Sequence, residues 1–299
     1  MPTSIAFDFE TITIRAQLLE EAAPRLCRKV VEHLPTRSFA VHAKFAGEEL
    51  ITMVPFYAEP ENEILDVKRG DIGYYPGRQT FCIFYGKVVP FGKVSVFASV
   101  TESLEALQTL GAQALAKGLL PLSIRLDGSS PASSPSPSVP GKSPLSQDCV
   151  AIIERFRQTV WESSPADLVR LKAASRPPMG NLPCMFYACF NLFWLGEELQ
   201  VCRKLAVNQS IPLSSLKQTV SELLLRHAGR LEKWDMQDSC AFLASLADVF
   251  ANRVNSFEEY VSGIERALVA VDRIQSWVDA TIPWPQLDAK LRGSLFGKP

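Results

Sequence analysis

Between Phe39 and Phe56 an apolar, aromatic stretch carries His42, Lys44, Glu48 and Glu49. An imidazole, an ammonium and two carboxylates so close together supply a base, a cation and a second proton carrier. The stretch reads as a strand, in which side chains two apart share a face. His42 and Lys44 are therefore expected to point together, with Ala43 and Phe45 pointing the other way. Gly47 is expected to kink the chain, after which Glu48 and Glu49 fall on opposite sides. A solvated strand face accounts for such residues without any function. Against it stand the aromatic neighbours Phe39, Phe45, Phe56 and Tyr57, which suit a pocket for a small charged ligand.

Residues 70–86 hold the second group. Tyr75-Pro76-Gly77-Arg78 is a turn signal that places Arg78 at a strand end. Its guanidinium is suited to bidentate contact with a carboxylate. Tyr74 and Tyr75 offer hydroxyls, one of them expected in the core. Cys82 and Phe84 share one strand face, and Phe81, Ile83 and Tyr85 the other. Cys82 reads as a small buried residue more readily than as a nucleophile.

Other chemistries find little support. There is no GxGxxG, no Walker motif and no GxSxG elbow. The seven cysteines are scattered without a CxxC, and the three histidines, His33, His42 and His227, are far apart, so no metal site is expected. Free thiols in apolar helical context (Cys184, Cys189, Cys202, Cys240) point to a reducing, cytoplasmic setting. With 31 basic and 32 acidic residues, nothing suggests nucleic acid as a partner. The apolar run at 182–195 is too short to span a bilayer, and the N-terminus lacks the pattern of a signal peptide. His227 is expected to be structural, near a helix end.

The elements that must position these groups fall into two unlike halves. Residues 126–148 are mostly Ser, Pro and Gly and read as a linker. Before it, to residue 125, alternating segments predict a hairpin turning near Glu10 and Thr11, a helix entered at Pro24, and the strands around His42 and Arg78. A further strand follows near residue 97, then a helix capped by Ser103 and ended by Gly118. Many strands with one or two helices predict a closed or nearly closed β-barrel. From 149 to 299, five apolar-periodic segments predict helices, with starts at Pro212 and Ser256 and a stop at Gly229. The fold class expected is α+β, a barrel followed by an all-α domain. Its helices are apolar enough to need the barrel or a second subunit as partner, so a homodimer is expected.

The segments Leu18–Pro35 and Phe39–Ile51 resemble the opening of the cyclophilins, where a strand carries a Phe-His-Arg element. Residues 70–86 look like the later strand pair of that fold. The similarity covers roughly residues 4–102 and is closer to bacterial and archaeal cyclophilin-like proteins that are not isomerases. The chain as a whole resembles the cucumopine and mikimopine synthases, a family of opine-forming enzymes. That resemblance implies an eight-stranded cyclophilin-type barrel. It also implies condensation of L-histidine with 2-oxoglutarate by a Pictet–Spengler reaction without a reducing cofactor. Ala43 stands where the isomerases have their catalytic arginine, which sets this chain apart from them.

Such a reaction needs partners for three carboxylates, a free-base amine and a base for the last proton. Glu49 is the favoured base, its pKa raised by apolar surroundings, with His42 next. Lys44 and Arg78 are expected to clamp carboxylates; Lys44 alternatively polarises the ketone or forms a Schiff base. Tyr75 and Tyr57 are proton donors to the departing hydroxyl, and Phe45, Cys82 and Phe84 complete the lining. His42, Lys44 and Arg78 are expected to aim into one cavity inside the barrel. The alternatives are a non-catalytic metabolite- or peptide-binding module and a weak prolyl isomerase.

Overall fold

The computed structural model describes residues 3–44, 46–129, 143–161, 163–173, 181–284 and 287. In its first part, β1 (Ser4–Asp8) and β2 (Thr13–Leu18) form the predicted hairpin, and helix α1 (Pro24–Glu32) begins at the predicted proline. Then come β3 (Thr36–His42), β4 (Gly47–Met53), the two-residue β5 (Glu63–Ile64), β6 (Asp71–Tyr75), β7 (Thr80–Val88) and β8 (Val94–Glu102). Helix α2 (Ala106–Lys117) and strand β9 (Leu120–Leu126) complete this part. The strands pair in the order β2-β1-β9-β3-β4-β7-β6-β8, and β8 returns to β2, closing an antiparallel eight-stranded barrel among the described residues; β5 pairs with β8 alone.

An eight-stranded barrel has room inside for side chains and little else. Here the interior is filled: Phe7, Ile14, Leu50, Ile72, Tyr74, Phe81, Ile83, Phe97 and Ile124 pack together. The alternation predicted for β7 holds, with Phe81, Ile83 and Tyr85 inside and Cys82 and Phe84 in a separate cluster on the outer face. Ser103 does not cap α2. It lies at φ 65°, its carbonyl accepts from Ala106 N in a turn, and the helix begins at Ala106. Gly118 does end it, at φ 86°. Strand β9, which the sequence reading does not single out, is a stave of the barrel between β1 and β3.

The second part is helical: α3 (Gln147–Trp161), α4 (Ala166–Ala173), α5 (Leu182–Val207), α6 (Leu213–Glu232), α7 (Gln237–Asp248) and α8 (Phe257–Thr281), with a π-helical turn at Val249–Arg253. The predicted linker is described only at its ends; residues 130–142 lie outside the described residues. Gly229 does not stop α6, which runs on to Glu232; a helix-interior glycine is tolerated at a modest cost. Ser256 caps α8 as predicted, accepting from Glu259 N at 3.1 Å. Asp167 of α4 reaches the start of α7 and accepts from the backbone of Asp238 and Ser239 at 3.0 and 2.7 Å, satisfying amides a helix start leaves open.

Helix α8 is apolar on almost every side, with Ala267, Leu268, Ala270, Val271, Ile274 and Val278 buried. A helix of that kind must be surrounded. It lies between α5, α3 and the barrel, and its core continues onto Phe39, Val41 and Tyr57 of the barrel's outer face. Arg273 fastens it there. The guanidinium donates to Trp161 O at 3.0 Å and Ser38 Oγ at 3.1 Å, and stacks on Phe39 and Trp161 at 4.1 and 4.6 Å.

Candidate functional site

The hollow lies outside the barrel, not within it. A cavity of about 900 Å³ opens between the His42–Gly47 turn, the end of α2 and the end of α8, lined by His42, Ala43, Lys44, Lys117, Lys172 and Trp284 among others. Beyond Lys44 on its lining, buried polar groups neighbour one another in turn, Cys189, Arg78, Tyr75, Cys82 and Glu49, and form a seam between the outer face of the barrel and α5 and α8.

Strand β3 ends at His42, so strict alternation does not reach Lys44, and the two side chains part. The imidazole Nδ1 donates to Ala43 O at 2.7 Å and Nε2 accepts from the Tyr85 hydroxyl at 2.7 Å. Tyr85 belongs to the barrel interior, and its ring is admitted by Gly111, where a Cβ would lie 2.1 Å from the hydroxyl. Lys44 turns instead toward α8 and α5. Burial lowers its pKa, opposed by the charge of Asp279.

Glu49 and its neighbour separate as the sequence predicts. Gly47 takes φ 104°, with Lys87 O where a Cβ would stand, and a register shift in the β4–β7 ladder follows it. Such a bulge re-aims side chains. Glu48 turns out to accept from Lys87 N at 2.6 Å, while Glu49 is 4% exposed on the face toward the helices. Burial pushes the Glu49 carboxyl up to about 7, and a hydrogen bond from the Cys82 thiol only partly offsets it. Burial likewise raises the Cys82 thiol well above its ordinary range, and the Glu49 charge adds to it, so Cys82 remains a thiol beside the carboxyl.

Arg78 sits in the predicted turn, two residues before β7, but it is already paired. Its Nη1 lies 3.0 Å from Asp272 Oδ1 on α8, Nη2 lies 3.8 Å from Glu197 on α5, and the guanidinium rests 3.9 Å above the Phe193 ring. Asp272 is fully buried, and that burial lifts it to about 6 in spite of the Arg78 charge. Between Arg78 and Lys44 lies Cys189 of α5, its sulfur accepting from Gln275 Nε2 at 3.3 Å. Burial takes this thiol to about 12, against the pull of both cations. Tyr75 is partly buried near Arg78, Glu197 and Cys82; burial raises its phenol pKa, so it keeps its proton.

The structure therefore gathers Glu49, Cys82, Lys44, Arg78 and Tyr75 along one seam. His42 lines the adjoining cavity with both ring nitrogens engaged. Tyr57 stands elsewhere, under the Arg203 guanidinium at 4.1 Å in a cluster with Glu59 and Glu265, and burial raises its phenol to about 12. Phe84 packs with Cys82, Val94 and Val96. Phe45 lies outside the described residues. Sequence reasoning missed the helical contribution: Cys189, Phe193, Glu197, Asp272, Gln275 and Asp279. One signal was present, an aspartate at position 272 within the apolar run of α8.

A barrel whose outer face, capped by helices, presents a buried neutral-range carboxyl beside a thiol, and elsewhere buries a lysine and an arginine, has the parts of a small-molecule site handling carboxylates and protons. Comparison with known proteins agrees on the architecture. A family model described as a protein of unknown function (DUF3830) matches residues 5–125. Among solved structures, McbB in complex with tryptophan aligns at a TM-score of 0.81 with 17% identity, covering 94% of this chain and 98% of that one. At that identity the likeness is one of fold, and it embraces barrel and helices together. A hypothetical protein from Archaeoglobus fulgidus aligns at a TM-score of 0.34 with 22% identity, over 42% of this chain and 94% of that one. No curated protein sequence matches.

Proposed function

We propose that the protein condenses L-histidine with 2-oxoglutarate in a Pictet–Spengler reaction, giving an opine of the cucumopine or mikimopine type. The observation that carries this reading is Glu49. A carboxyl held by burial at about 7 is half-ionised at neutral pH, and Cys82 beside it neighbours Tyr75, which in turn neighbours Arg78. General bases work best with a pKa near the working pH. The shared architecture with a protein solved with tryptophan adds support, since tryptophan and histidine both join an α-amine to an electron-rich heteroaromatic ring.

In this reading the amine of histidine adds to the keto carbon of 2-oxoglutarate. The carbonyl oxygen leaves as water, protonated with help from the Tyr75 hydroxyl, and an iminium forms. An imidazole carbon attacks the iminium carbon, forming the new ring, and Glu49 removes the proton from that imidazole carbon to restore aromaticity. Lys44, beside the cavity of about 900 Å³, holds keto-acid carboxylate, and Arg78 holds a second carboxylate. Its lowered pKa also leaves Lys44 suited to polarise the ketone or to form a Schiff base. No hydride moves, so no nicotinamide is called for.

The test is direct. Purified protein incubated with L-histidine and 2-oxoglutarate alone should yield the dehydrated adduct by mass, and Glu49→Gln should lose it. Binding of both compounds without adduct would leave a binding module instead. We also propose a homodimer, supported by the exposed stripe Tyr187, Phe190, Trp194 and Val201 along α5. Sedimentation showing only monomer at micromolar concentration would overturn it.

A further inference from the structure

Two polar atoms in the seam are buried without any hydrogen-bond partner: Arg78 Nη2 and Asp272 Oδ2. They belong to opposite charges already joined through Nη1 and Oδ1 at 3.0 Å, so one ion pair carries both an open donor and an open acceptor. Leaving either unmet costs about 1–3 kcal/mol, and more for charged groups. The chain has built closely around this pair. Gly196 of α5 faces it, and a Cβ there would lie 2.8 Å from Asp272 Oδ1 and 3.4 Å from Arg78 Nη1. Phe193 floors the guanidinium at 3.9 Å. The Asp272 side chain is wholly buried, and the Arg78 side chain keeps 15% exposure.

Charge decides what fits. Arg78 faces Asp272 at 3.0 Å and Glu197 at 3.8 Å, so its own charge is already answered. A bare carboxylate would meet Nη2 but add a third negative charge beside two others, and it would leave Oδ2 open. A bare ammonium would meet Oδ2 and leave Nη2 open. A group presenting an acceptor anion and a donor cation on neighbouring atoms closes both and adds no net charge. An α-amino acid head group is such a group.

We propose that the Arg78–Asp272 pair is the head-group site for an amino-acid substrate, with the α-carboxylate accepting from Arg78 Nη2 and the α-ammonium donating to Asp272 Oδ2. This rests on the proposed function only for the identity of the substrate, and it divides the labour of the two cations: Arg78 serves the amino acid and Lys44 the keto acid. It also gives the ammonium a destination for its proton. Asp272, lifted by burial to about 6, accepts it as the nitrogen becomes the free amine.

Calorimetric titration of the whole protein tests the site without relying on turnover. The probes are L-histidine and L-tryptophan, each with its decarboxylated amine (histamine, tryptamine) and its deaminated acid (imidazolepropionate, indolepropionate). At least one amino acid should bind about tenfold or more tightly than both of its truncated analogues. Asp272→Asn should erase the preference over the deaminated acid and keep that over the amine. Should Asp272→Asn fail to fold, Gly196→Ala carries the test: it keeps every charge, favours helix, crowds the pair, and should weaken amino-acid binding about tenfold with its melting transition preserved. Binding of neither amino acid, equal binding of truncated analogues, or unchanged binding by Gly196→Ala overturns the proposal. Head-group-dependent binding without adduct formation would sink the opine reading and keep this site. Adduct formation by Gly196→Ala at the wild-type KM for the amino acid would do the reverse.

Discussion

Strand β7 runs between two buried environments. Phe81, Ile83 and Tyr85 point into the barrel, and Cys82 points to the seam under the helices. Inside, the packing is aromatic and aliphatic, and a polar tip such as the Tyr74 hydroxyl meets protein partners, Ala58 N at 2.9 Å and Phe56 O at 3.4 Å. Outside, Glu49, Arg78 and Asp272 are nearly as dry, yet two of their charged atoms lack partners and two carboxyls sit near neutrality. Close-packed interiors leave buried polar groups open rarely. On the proposed reading, the barrel is scaffold and the chemistry lies on its outer face, where the helical half supplies the second wall.

The largest expected effect breaks or upholds that division. Glu49→Gln should lower kcat by about 10²–10⁴-fold, the usual contribution of a general base, while the protein stays folded. Phe81→Ala, one residue from Cys82 but inside the barrel, should do the opposite. It should cost about 3–5 kcal/mol of stability by leaving a cavity, and the folded fraction should keep near-normal kcat. Steady-state kinetics beside denaturant melts of both variants decide the matter; a folded, fully active Glu49→Gln places the base elsewhere.

The same carboxyl has a stability signature of opposite sign to its activity. Its folded pKa, about 7, lies above the ordinary value of 4.5. Between those values the folded state binds more protons than the unfolded one, so the stability Glu49 allows is full below about 4.5 and falls as pH rises through 7. The loss is about 3 kcal/mol for a shift of this size. Glu49→Gln should therefore melt higher than the wild type above pH 7, and the two should converge toward pH 4. The rate should rise with pH through about 7 in the wild type. A melting difference independent of pH would show that Glu49 ionises as an ordinary surface carboxylate.

Arg273 sharpens the comparison, because it joins the two walls without belonging to the seam's open groups. Arg273→Met keeps the length and loses the bonds to Trp161 O and Ser38 Oγ and the stacking on Phe39. A loss of about 2–3 kcal/mol is expected, with KM rising as α8 loosens and little change in kcat. A large fall in kcat with KM unchanged would put Arg273 among the chemical groups.

Much of the barrel was legible because its rules are local. Alternation set Phe81, Ile83 and Tyr85 on one face and Cys82 and Phe84 on the other without saying which is inside, Gly47 announced the bulge that separates Glu48 from Glu49, and Pro24, Gly118 and Ser256 marked real helix ends. The run of strands with few helices predicted a closed or nearly closed barrel, and resemblance added the number of strands. Errors came where one rule was extended past its element. Alternation was carried from His42 to Lys44 across the end of β3, and a glycine inside α6 was read as its stop. The site was half legible for a plain reason. Glu49 and Arg78 announce themselves as charges among apolar strand residues, but Asp272 acquires its meaning only when α8 is laid against the β6–β7 turn, far away in sequence. The expectation that His42, Lys44 and Arg78 aim into one cavity inside the barrel fails because large side chains such as Phe7, Phe81 and Phe97 fill that interior.

His42 stands on the border of the two environments, lining the cavity while bonded to a tyrosine of the barrel interior, so it offers the finest test. Tyr85→Phe removes the hydroxyl 2.7 Å from Nε2 and changes nothing else in shape. If His42 belongs to the scaffold, the change costs about 1 kcal/mol, the ordinary worth of one hydrogen bond, and kcat moves by about threefold or less. If His42 shares the proton transfers with Glu49, releasing its Nε2 alters the rate far more than the stability, and the pH–rate profile changes shape. The two nitrogens already have partners, and the seam holds a carboxyl with the right pKa. The first outcome is therefore expected, measured as a small shift in melting temperature with an unaltered pH profile.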